Sequence, residues 1–262
     1  MRNLLRYFNR NLLLKIAGYN SIHIIVRILT GAAMSWILAR LLGTAGMAVM
    51  GNFRNFFQGL QTFSVLGLEN GLVRYAAQYK NEPNELREVL STAWFFALII
   101  TVILSAGVFY LAPQLDDFLI GLDTSYSFVF QCLAVAMPFY VLFIMITSLM
   151  QGFEWFKKFI FINIVINILV FLTSLLLIYF YLLKGALLAI FITPVIQCVI
   201  AAAIWWRLKK EVSLKNLLTG PLGWHRLKPL LGYSGMALIS ALLIPITYIA
   251  VRQDLRETLG DT

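Results

Sequence analysis

The sequence is short of charged residues, cysteines and histidines, and each shortage excludes a class of protein. Charged residues make up 13% of the 262 residues, well below the roughly 25% of soluble domains, so a water-soluble fold is excluded. Cys132 and Cys198 form no C-x-x-C pair and no secreted disulfide framework, and both are interpreted as packing residues. His23 and His225 are the only histidines. Because no phosphate loop, H-E-x-x-H or G-x-S-x-G motif occurs, we expect no catalytic residues, no metal site and no cofactor.

Long apolar runs fill most of the remaining sequence. The chain is 60% hydrophobic and its mean hydropathy is +0.82. Segments 94–113 and 159–183 are apolar on every face, and each is about as long as the 20 residues needed to cross a bilayer. Their apolar residues do not alternate with period two, so strands of a membrane barrel are excluded. Only helices then satisfy the backbone within hydrocarbon, and the sequence predicts an all-α membrane protein.

The apolar runs, bounded by charges and turn residues, predict seven membrane-spanning helices. Their expected ranges are 12–40, 46–79, 86–112, 125–151, 157–182, 185–207 and 227–252. We predict that residues 1–208 form a six-helix transmembrane lobe and that 209–226 form a cytoplasmic basic loop. Residues 227–262 would be the first helix of a missing second lobe, so we expect the chain to be incomplete.

The distribution of basic residues predicts the orientation of these spans, because cytoplasmic loops retain Lys and Arg. Fourteen basic residues fall on the side of the N-terminus and four on the other, where the acidic residues Asp116, Asp117 and Asp123 also lie. We therefore expect a cytoplasmic N-terminus. The net charge of +9 is explained by this topology and by attraction to anionic membrane lipids, without nucleic acid as a partner.

Span one contains two basic residues deep in its apolar run. His23 and Arg27 are four residues apart and therefore share one helical face. Since an ionisable residue at mid-bilayer is costly, Arg27 and His23 are both expected to face a substrate-binding cavity inside the bundle. The alternatives are that Arg27 caps a neighbouring helix or pairs with Glu69, and that His23 is a packed hydrogen-bonding residue.

Span two carries a stripe of polar residues on one helical face. Arg54, Gln58, Thr62 and Glu69 follow at steps of four, four and seven residues. We expect Arg54 and Gln58 to line the same cavity as Arg27. Glu69 is a candidate ion-coupling carboxylate, or alternatively a counter-ion to Arg27 or Arg74. A cationic cavity with apolar walls would select an anionic head group. Each guanidinium group can donate two parallel hydrogen bonds to two oxygens of a phosphate.

Several short motifs resemble those of the Wzx-type flippases of undecaprenyl-linked oligosaccharides, which serve O-antigen and enterobacterial common antigen synthesis. The most specific motifs lie in span two, where N-F-R at 52–54 is followed by an N-G pair at 70–71 and A-Q-Y at 77–79. Other matches span most of the chain. They are Gly43-x-x-Gly46, Met150-Gln151-Gly152-Phe153, Lys184-Gly185-Ala186-Leu187-Leu188 and Met236-Ala237-Leu238-Ile239-Ser240.

The resemblance implies the superfamily of multidrug, oligosaccharidyl-lipid and polysaccharide exporters. Its members have two six-helix lobes in a V-shaped arrangement, with a cationic central cavity for the lipid pyrophosphate. Arg54 occupies the basic position of the N-F-R element, and Arg27 a position where relatives also place Lys or Arg. His23 and Glu69 match no family motif. The expected activity is flipping of an undecaprenyl-pyrophosphate-linked oligosaccharide across the bacterial inner membrane for surface polysaccharide synthesis, and a polysaccharide polymerase complex is a candidate partner.

Two other functions compete with flipping. A multidrug exporter of the same fold would need acidic cavity residues to attract cationic drugs, and Glu69 alone fits that requirement. A truncated, non-transporting membrane scaffold would fit the absence of a second lobe. Since the sequence contains no nucleotide site, an ion gradient is the expected energy source for transport.

Overall fold

A computed structural model describes residues 12–65, 67–120, 126–208 and 220–223, and within these ranges the secondary structure is helical, with no strands. The helices are α1 (Leu12–Val65), α2 (Leu68–Gln78), α3 (Pro83–Tyr110), α4 (Ala112–Leu119), α5 (Ser127–Gly152) and α6 (Phe156–Leu208). The prediction of an all-α protein is confirmed.

Four helical stretches of the described ranges are long and apolar enough to cross a membrane: Gly18–Thr44, Pro83–Tyr110, Ser127–Gly152 and Phe156–Trp206. The chain is therefore a multi-pass membrane protein. The last stretch has 51 residues, which would extend about 76 Å as a straight helix. Because the hydrocarbon layer is only about 30 Å thick, one straight crossing cannot accommodate it.

Helix α6 folds back on itself at Leu182, where φ is 47°. Beyond this point Gly185 lies directly against the backbone of Leu177, so closely that a Cβ would overlap the Leu177 carbonyl oxygen. The two ends of the helix also meet, since the rings of Trp155 and Trp205 are 5.9 Å apart. The two arms of this hairpin correspond to the predicted spans 157–182 and 185–207.

Helix α1 is divided in the same way at Gly43, whose φ of 65° suits a residue without a Cβ. The division falls at the first residue of the Gly43-x-x-Gly46 motif. One prediction is wrong: the second span, 46–79, is not a single helix. Gly67, with φ 67°, separates the second arm of α1 from α2, because a left-handed residue cannot continue an α-helix.

The short helix α4 was not anticipated in the connection between the third and fourth spans. It begins directly after α3, and Pro113 occupies one of its first positions, where a missing N–H costs nothing. The connection closes through Asp116, whose Oδ2 accepts a hydrogen bond from the Tyr126 backbone N–H at 2.6 Å. A buried carboxylate therefore ties α4 to the start of α5.

The two ends of the bundle are named after the charges that the sequence predicts for their connections. Lys80 Nζ lies 3.7 Å from Glu154 Oε2, which brings the α2–α3 and α5–α6 connections together at what we call the basic end. Residues 220–223 also pack there, since Ser91 Oγ donates to the Pro221 carbonyl at 2.8 Å and the Gly223 N–H to Thr92 Oγ1 at 2.9 Å. The acidic connection around Asp116 lies at the other end, here called the acidic end.

Three parts of the predicted organisation lie outside the described residues: the N-terminal residues 1–11, most of the 209–226 loop and the seventh span, 227–252. The domain boundaries and the number of crossings therefore stay predictions. Cys132 and Cys198 lie in α5 and α6 as free thiols.

Candidate functional site

A cavity of about 600 Å³ lies between the two arms of α1 and the two arms of α6. Its walls extend toward the acidic end, because Leu38, Met50, Ile178 and Ala186 belong both to the cavity and to the apolar cluster at that end. We call it the arginine cavity, since two arginines line it. Its other polar lining residues are Thr30, Ser35, Gln58, Gln61, Asn167, Ser174 and Thr193.

Three of the predicted site residues come together in this cavity. Arg27 comes from the first arm of α1, and Arg54 and Gln58 come from the second. They are far apart in sequence, but α1 divides at Gly43, and its two arms line the same space. The N-F-R segment supports this arrangement because the ring of Phe53 is fully buried, 5.2 Å from the ring of Phe130, while Arg54 remains exposed.

The electrostatics of the arginine cavity favour an anion. None of its lining residues is acidic, and among the described residues neither Arg27 nor Arg54 has a side-chain hydrogen bond or an ion pair. Arg40 differs, because it lies 5.3 Å from the ring of Trp36 and outside the cavity. Two guanidinium groups that line one cavity without an acidic partner among the described residues attract negative charge.

The arginine cavity also has an apolar wall. Met34, Phe57, Val170, Phe171 and Ile190 line it beside the arginines and amides. The space can thus hold a ligand that combines an anionic group with an apolar part.

His23 does not line the arginine cavity but supports a residue that does. The Asn167 Nδ2 amide lies 3.1 Å from His23 Nε2 and 2.9 Å from the Asn163 carbonyl oxygen. The amide nitrogen is a donor, so this hydrogen bond forms in the tautomer of His23 whose Nε2 is the acceptor. His23 thus lies beside the arginine cavity, in contact with one of its lining residues, and its part in ligand binding stays a prediction.

Glu69 lies in a second cavity, of about 300 Å³, bounded by α2, α5 and α6. In the described ranges it forms no ion pair with Arg27, and the two residues line different cavities. Other polar residues of this second cavity are Asn70, Thr147, Ser148, Gln151 and Asn163.

Sequence reasoning missed most of the polar residues on α5 and α6. A usable signal was present: Thr147 and Gln151 are four residues apart in one apolar span, and Asn163 and Asn167 are four apart in the next. Such spacing places both members of a pair on one helical face. Polar pairs of this kind within a membrane helix indicate a face that avoids lipid.

Comparison with known proteins identifies relatives along most of the chain. A family model described as polysaccharide biosynthesis protein matches residues 13–249. The lipid III flippases of Escherichia coli K12 and Shigella flexneri are each 26% identical over 254 residues, covering 92% of this chain and 57% of theirs. The chain therefore spans a little more than half the length of these curated relatives.

A solved structure shares the fold. The crystal structure of MATE in complex with Br-NRF superimposes with a TM-score of 0.68 at 17% sequence identity. The match covers 90% of this chain and 55% of that chain. At this identity the similarity establishes the helical architecture alone.

Proposed function

The chain belongs to the family of polysaccharide biosynthesis proteins, and from that membership we propose that it carries the anion-binding cavity of a lipid-linked oligosaccharide flippase. The membership agrees with the resemblance of the N-F-R, N-G and A-Q-Y motifs to flippases. The observation that carries the proposal is the convergence of Arg27 and Arg54 on one cavity, in which none of the described lining residues is acidic.

The proposed ligand group is a pyrophosphate attached to an isoprenoid. Each guanidinium can donate two parallel hydrogen bonds to phosphate oxygens, and such charge-assisted pairs are stronger than neutral ones. Gln58 and Asn167 add neutral amide groups for the first sugar or for remaining phosphate oxygens. The apolar wall around Phe57 and Phe171 accepts the part of the isoprenoid next to the pyrophosphate.

In the full proposal the cargo is an undecaprenyl-pyrophosphate-linked oligosaccharide used for O-antigen or enterobacterial common antigen. The membrane is the bacterial inner membrane, and the N-terminus and the basic end face the cytoplasm. Transport proceeds by rocking of this lobe against a second one, so that the arginine cavity opens to each side in turn. A polysaccharide polymerase complex receives the product.

The experiment measures binding of an isoprenoid pyrophosphate to the full chain in lipid nanodiscs. Farnesyl pyrophosphate is the probe, and farnesol is the neutral comparison. We expect Arg27→Ala and Arg54→Ala each to weaken farnesyl pyrophosphate binding by roughly 10- to 100-fold, because each removes a charge-assisted contact. Farnesol binding should change little.

Arg40→Ala is the matched control, because Arg40 is an exposed arginine of the same helix outside the cavity. It should bind farnesyl pyrophosphate like the unmodified chain. Equal losses in all three variants would indicate a general effect of surface charge. Unchanged binding by the Arg27→Ala, Arg54→Ala double variant would disprove the assignment of these residues.

The two competing functions make different predictions. A multidrug exporter needs acidic residues beside its ligand, and the arginine cavity has none in its lining, so cationic drugs should not compete with farnesyl pyrophosphate. A non-transporting scaffold needs no ligand selectivity in this cavity. A clear preference for the pyrophosphate over farnesol would therefore favour the flippase over both alternatives.

A further inference from the structure

Helix α3 carries an exposed apolar stripe that continues to its last residue. Ile99, Ile103 and Tyr110 follow at steps of four and seven residues and therefore share one face of the helix. All three are exposed, and Tyr110 is 80% exposed. Because α3 is long and apolar enough to cross a membrane, this stripe is a surface that lipid tails can contact.

Helix α4 extends this apolar surface at the acidic end. It has eight residues and begins directly after α3, so it is too short to cross a bilayer. Leu111 at its start and Phe118 near its end are seven residues apart and lie on one side. Both are exposed, Phe118 by 87%. Asp117 is also exposed, on a neighbouring side of the same helix. The exposed surface of α4 is thus apolar on one side and acidic on the next.

The remaining side of α4 holds the helix in one orientation. Ala112 and Asp116 are four residues apart and both are buried. Asp116 Oδ2 accepts the hydrogen bond from the Tyr126 backbone N–H, and Ala112 and Tyr126 belong to one apolar cluster. Rotation of α4 would break this bond and leave a buried carboxylate unsatisfied. The Phe118 ring is therefore held pointing away from the bundle.

A second group of exposed aromatic rings lies at the same end. Tyr179, Phe180 and Tyr181 come just before the point where α6 folds back, and all three are exposed. Ile178, the preceding residue, belongs to the same apolar cluster as Ala112. Aromatic side chains are enriched at the two surfaces of a bilayer, at the level of the headgroups. The end of α3, the exposed side of α4 and the fold-back of α6 therefore mark one membrane surface.

We propose that α4 is an interfacial anchor, which lies along the membrane surface at the acidic end with Leu111 and Phe118 inserted among the lipids and Asp117 in water. Interfacial helices insert their apolar side by about 5–10 Å into the boundary between headgroups and acyl chains. Zwitterionic headgroups suit this helix, because Asp117 would be repelled by anionic ones. A second protein could also cover Phe118, but the continuity of α4 with the apolar stripe of α3 favours lipid.

The anchor is connected to the arm of α1 that carries Arg54. The amide of Asn52, the first residue of the N-F-R segment, donates to the Leu119 carbonyl at the end of α4, at 3.5 Å. Phe53 of the same segment and Ile120 belong to one apolar cluster. An α4 held at the membrane surface would therefore fix the depth at which Arg54 meets its ligand. This consequence rests on the proposed function, whereas the anchor itself does not.

The test measures the depth of position 118 in a bilayer. The full chain, with both cysteines replaced by alanine, carries a fluorophore on Phe118→Cys and is reconstituted as single copies in phosphatidylcholine nanodiscs. Three quenchers are compared: iodide in water, a lipid nitroxide at the headgroup and a lipid nitroxide near the end of the acyl chain. The headgroup nitroxide should quench this label most strongly, because the label lies at the boundary between headgroups and acyl chains.

Three other positions calibrate the measurement. Val102→Cys is the hydrocarbon reference, since Val102 is exposed within the apolar part of α3. Glu154→Cys is the water reference, since Glu154 is exposed in a connection at the basic end. Iodide should quench the label at 118 at least about threefold less than the label at 154, because the anchor removes position 118 from water. Asp117→Cys is the matched control on α4 itself and should be quenched by iodide like Glu154→Cys.

A second measurement leaves Phe118 free for substitution by placing the fluorophore on Leu111→Cys. Phe118→Asp should raise iodide quenching at this label by several fold, because the anchoring ring is lost. Phe118→Trp should leave it unchanged, since tryptophan is also favoured at membrane surfaces. Thermal midpoints in detergent like that of the unsubstituted chain show that both variants are folded.

Iodide quenching at position 118 equal to that at position 154 would place α4 in water and overturn the proposal. Quenching mainly by the nitroxide near the end of the acyl chain would place α4 too deep and overturn it as well. Protection from all three quenchers would show that protein covers Phe118, which also contradicts a lipid contact. Arg54→Ala should leave the depth of position 118 unchanged, so a failure of the anion proposal can be told apart from a failure of the anchor.

Discussion

At the scale of single residues, the hairpin of α6 depends on the absence of a side chain at position 185. A Cβ there would overlap the Leu177 carbonyl and would lie 3.0 Å from the Ile178 nitrogen. Since both obstacles are backbone atoms, they cannot move aside as a flexible side chain would. The helical arms must separate instead.

Gly185→Ala should therefore destabilise the protein by about 1–3 kcal/mol, the usual cost of overpacking. Gly107→Ala is the control, because Gly107 lies in α3 with no atom in reach of a Cβ, and alanine has the higher helix propensity. Thermal unfolding in detergent should give a lower midpoint for Gly185→Ala and an unchanged or higher one for Gly107→Ala. Equal midpoints would contradict the close approach of the two arms.

The sequence was informative about individual site residues where charge was involved. An arginine in an apolar run is costly in lipid, so Arg27 and Arg54 were identifiable without a structure, and both line one cavity. His23 was less predictable, because a neutral histidine can serve as a ligand or as a hydrogen-bond partner. In the structure its Nε2 lies 3.1 Å from the amide nitrogen of Asn167, on a distant helix, a contact that the sequence did not indicate.

At the scale of elements, the second arm of α1 is anchored by aromatic packing against α5. Phe53 is fully buried and its ring meets Phe130 edge to face at 5.2 Å. Because Arg54 is the next residue along the helix, this contact also fixes the direction in which Arg54 projects.

Phe53→Ala should lower the free energy of unfolding by about 3 kcal/mol, since it leaves a cavity in a packed region. It should also weaken farnesyl pyrophosphate binding, although Phe53 does not line the arginine cavity. Phe118→Ala is the control, because the Phe118 side chain on α4 is 87% exposed. Retention of full stability in Phe53→Ala would show that the ring contact does not anchor the arm.

The ends of the helices were predictable where glycine or charge interrupts an apolar run. Gly43 and the Lys184-Gly185 pair marked both hairpin positions to within a few residues. Gly67 gave no comparable signal, since an isolated glycine is often tolerated inside a helix, and its left-handed conformation is visible only in the structure. Helix α4 was missed because its eight residues are too few for a clear hydrophobic period.

At the scale of the whole molecule, the two cavities have opposite charge and occupy different parts of one bundle. The arginine cavity extends toward the acidic end, and the second cavity contains Glu69, on the helix that leads to Lys80 at the basic end. This separation was not predictable from sequence, because it depends on how α2, α5 and α6 pack.

The predicted orientation of the bundle, with its basic end in the cytoplasm, sets the direction in which the proposed cargo would cross the membrane. Asp117 and Lys80 are both exposed and lie at opposite ends. In a chain whose two cysteines are replaced by alanine, Asp117→Cys should react with an impermeant maleimide on intact spheroplasts. Lys80→Cys should react only after permeabilisation, because cytoplasmic loops retain basic residues.

The reverse labelling pattern would invert the orientation and place the acidic end, toward which the arginine cavity extends, on the cytoplasmic side. Labelling of both positions from one side would contradict the opposite placement of the two ends. Glu154→Cys is a second marker of the basic end, since Glu154 lies 3.7 Å from Lys80, and it should label like Lys80→Cys. If Lys80→Cys and Glu154→Cys are labelled alike, the assignment of the basic end to one side of the membrane does not depend on a single substitution.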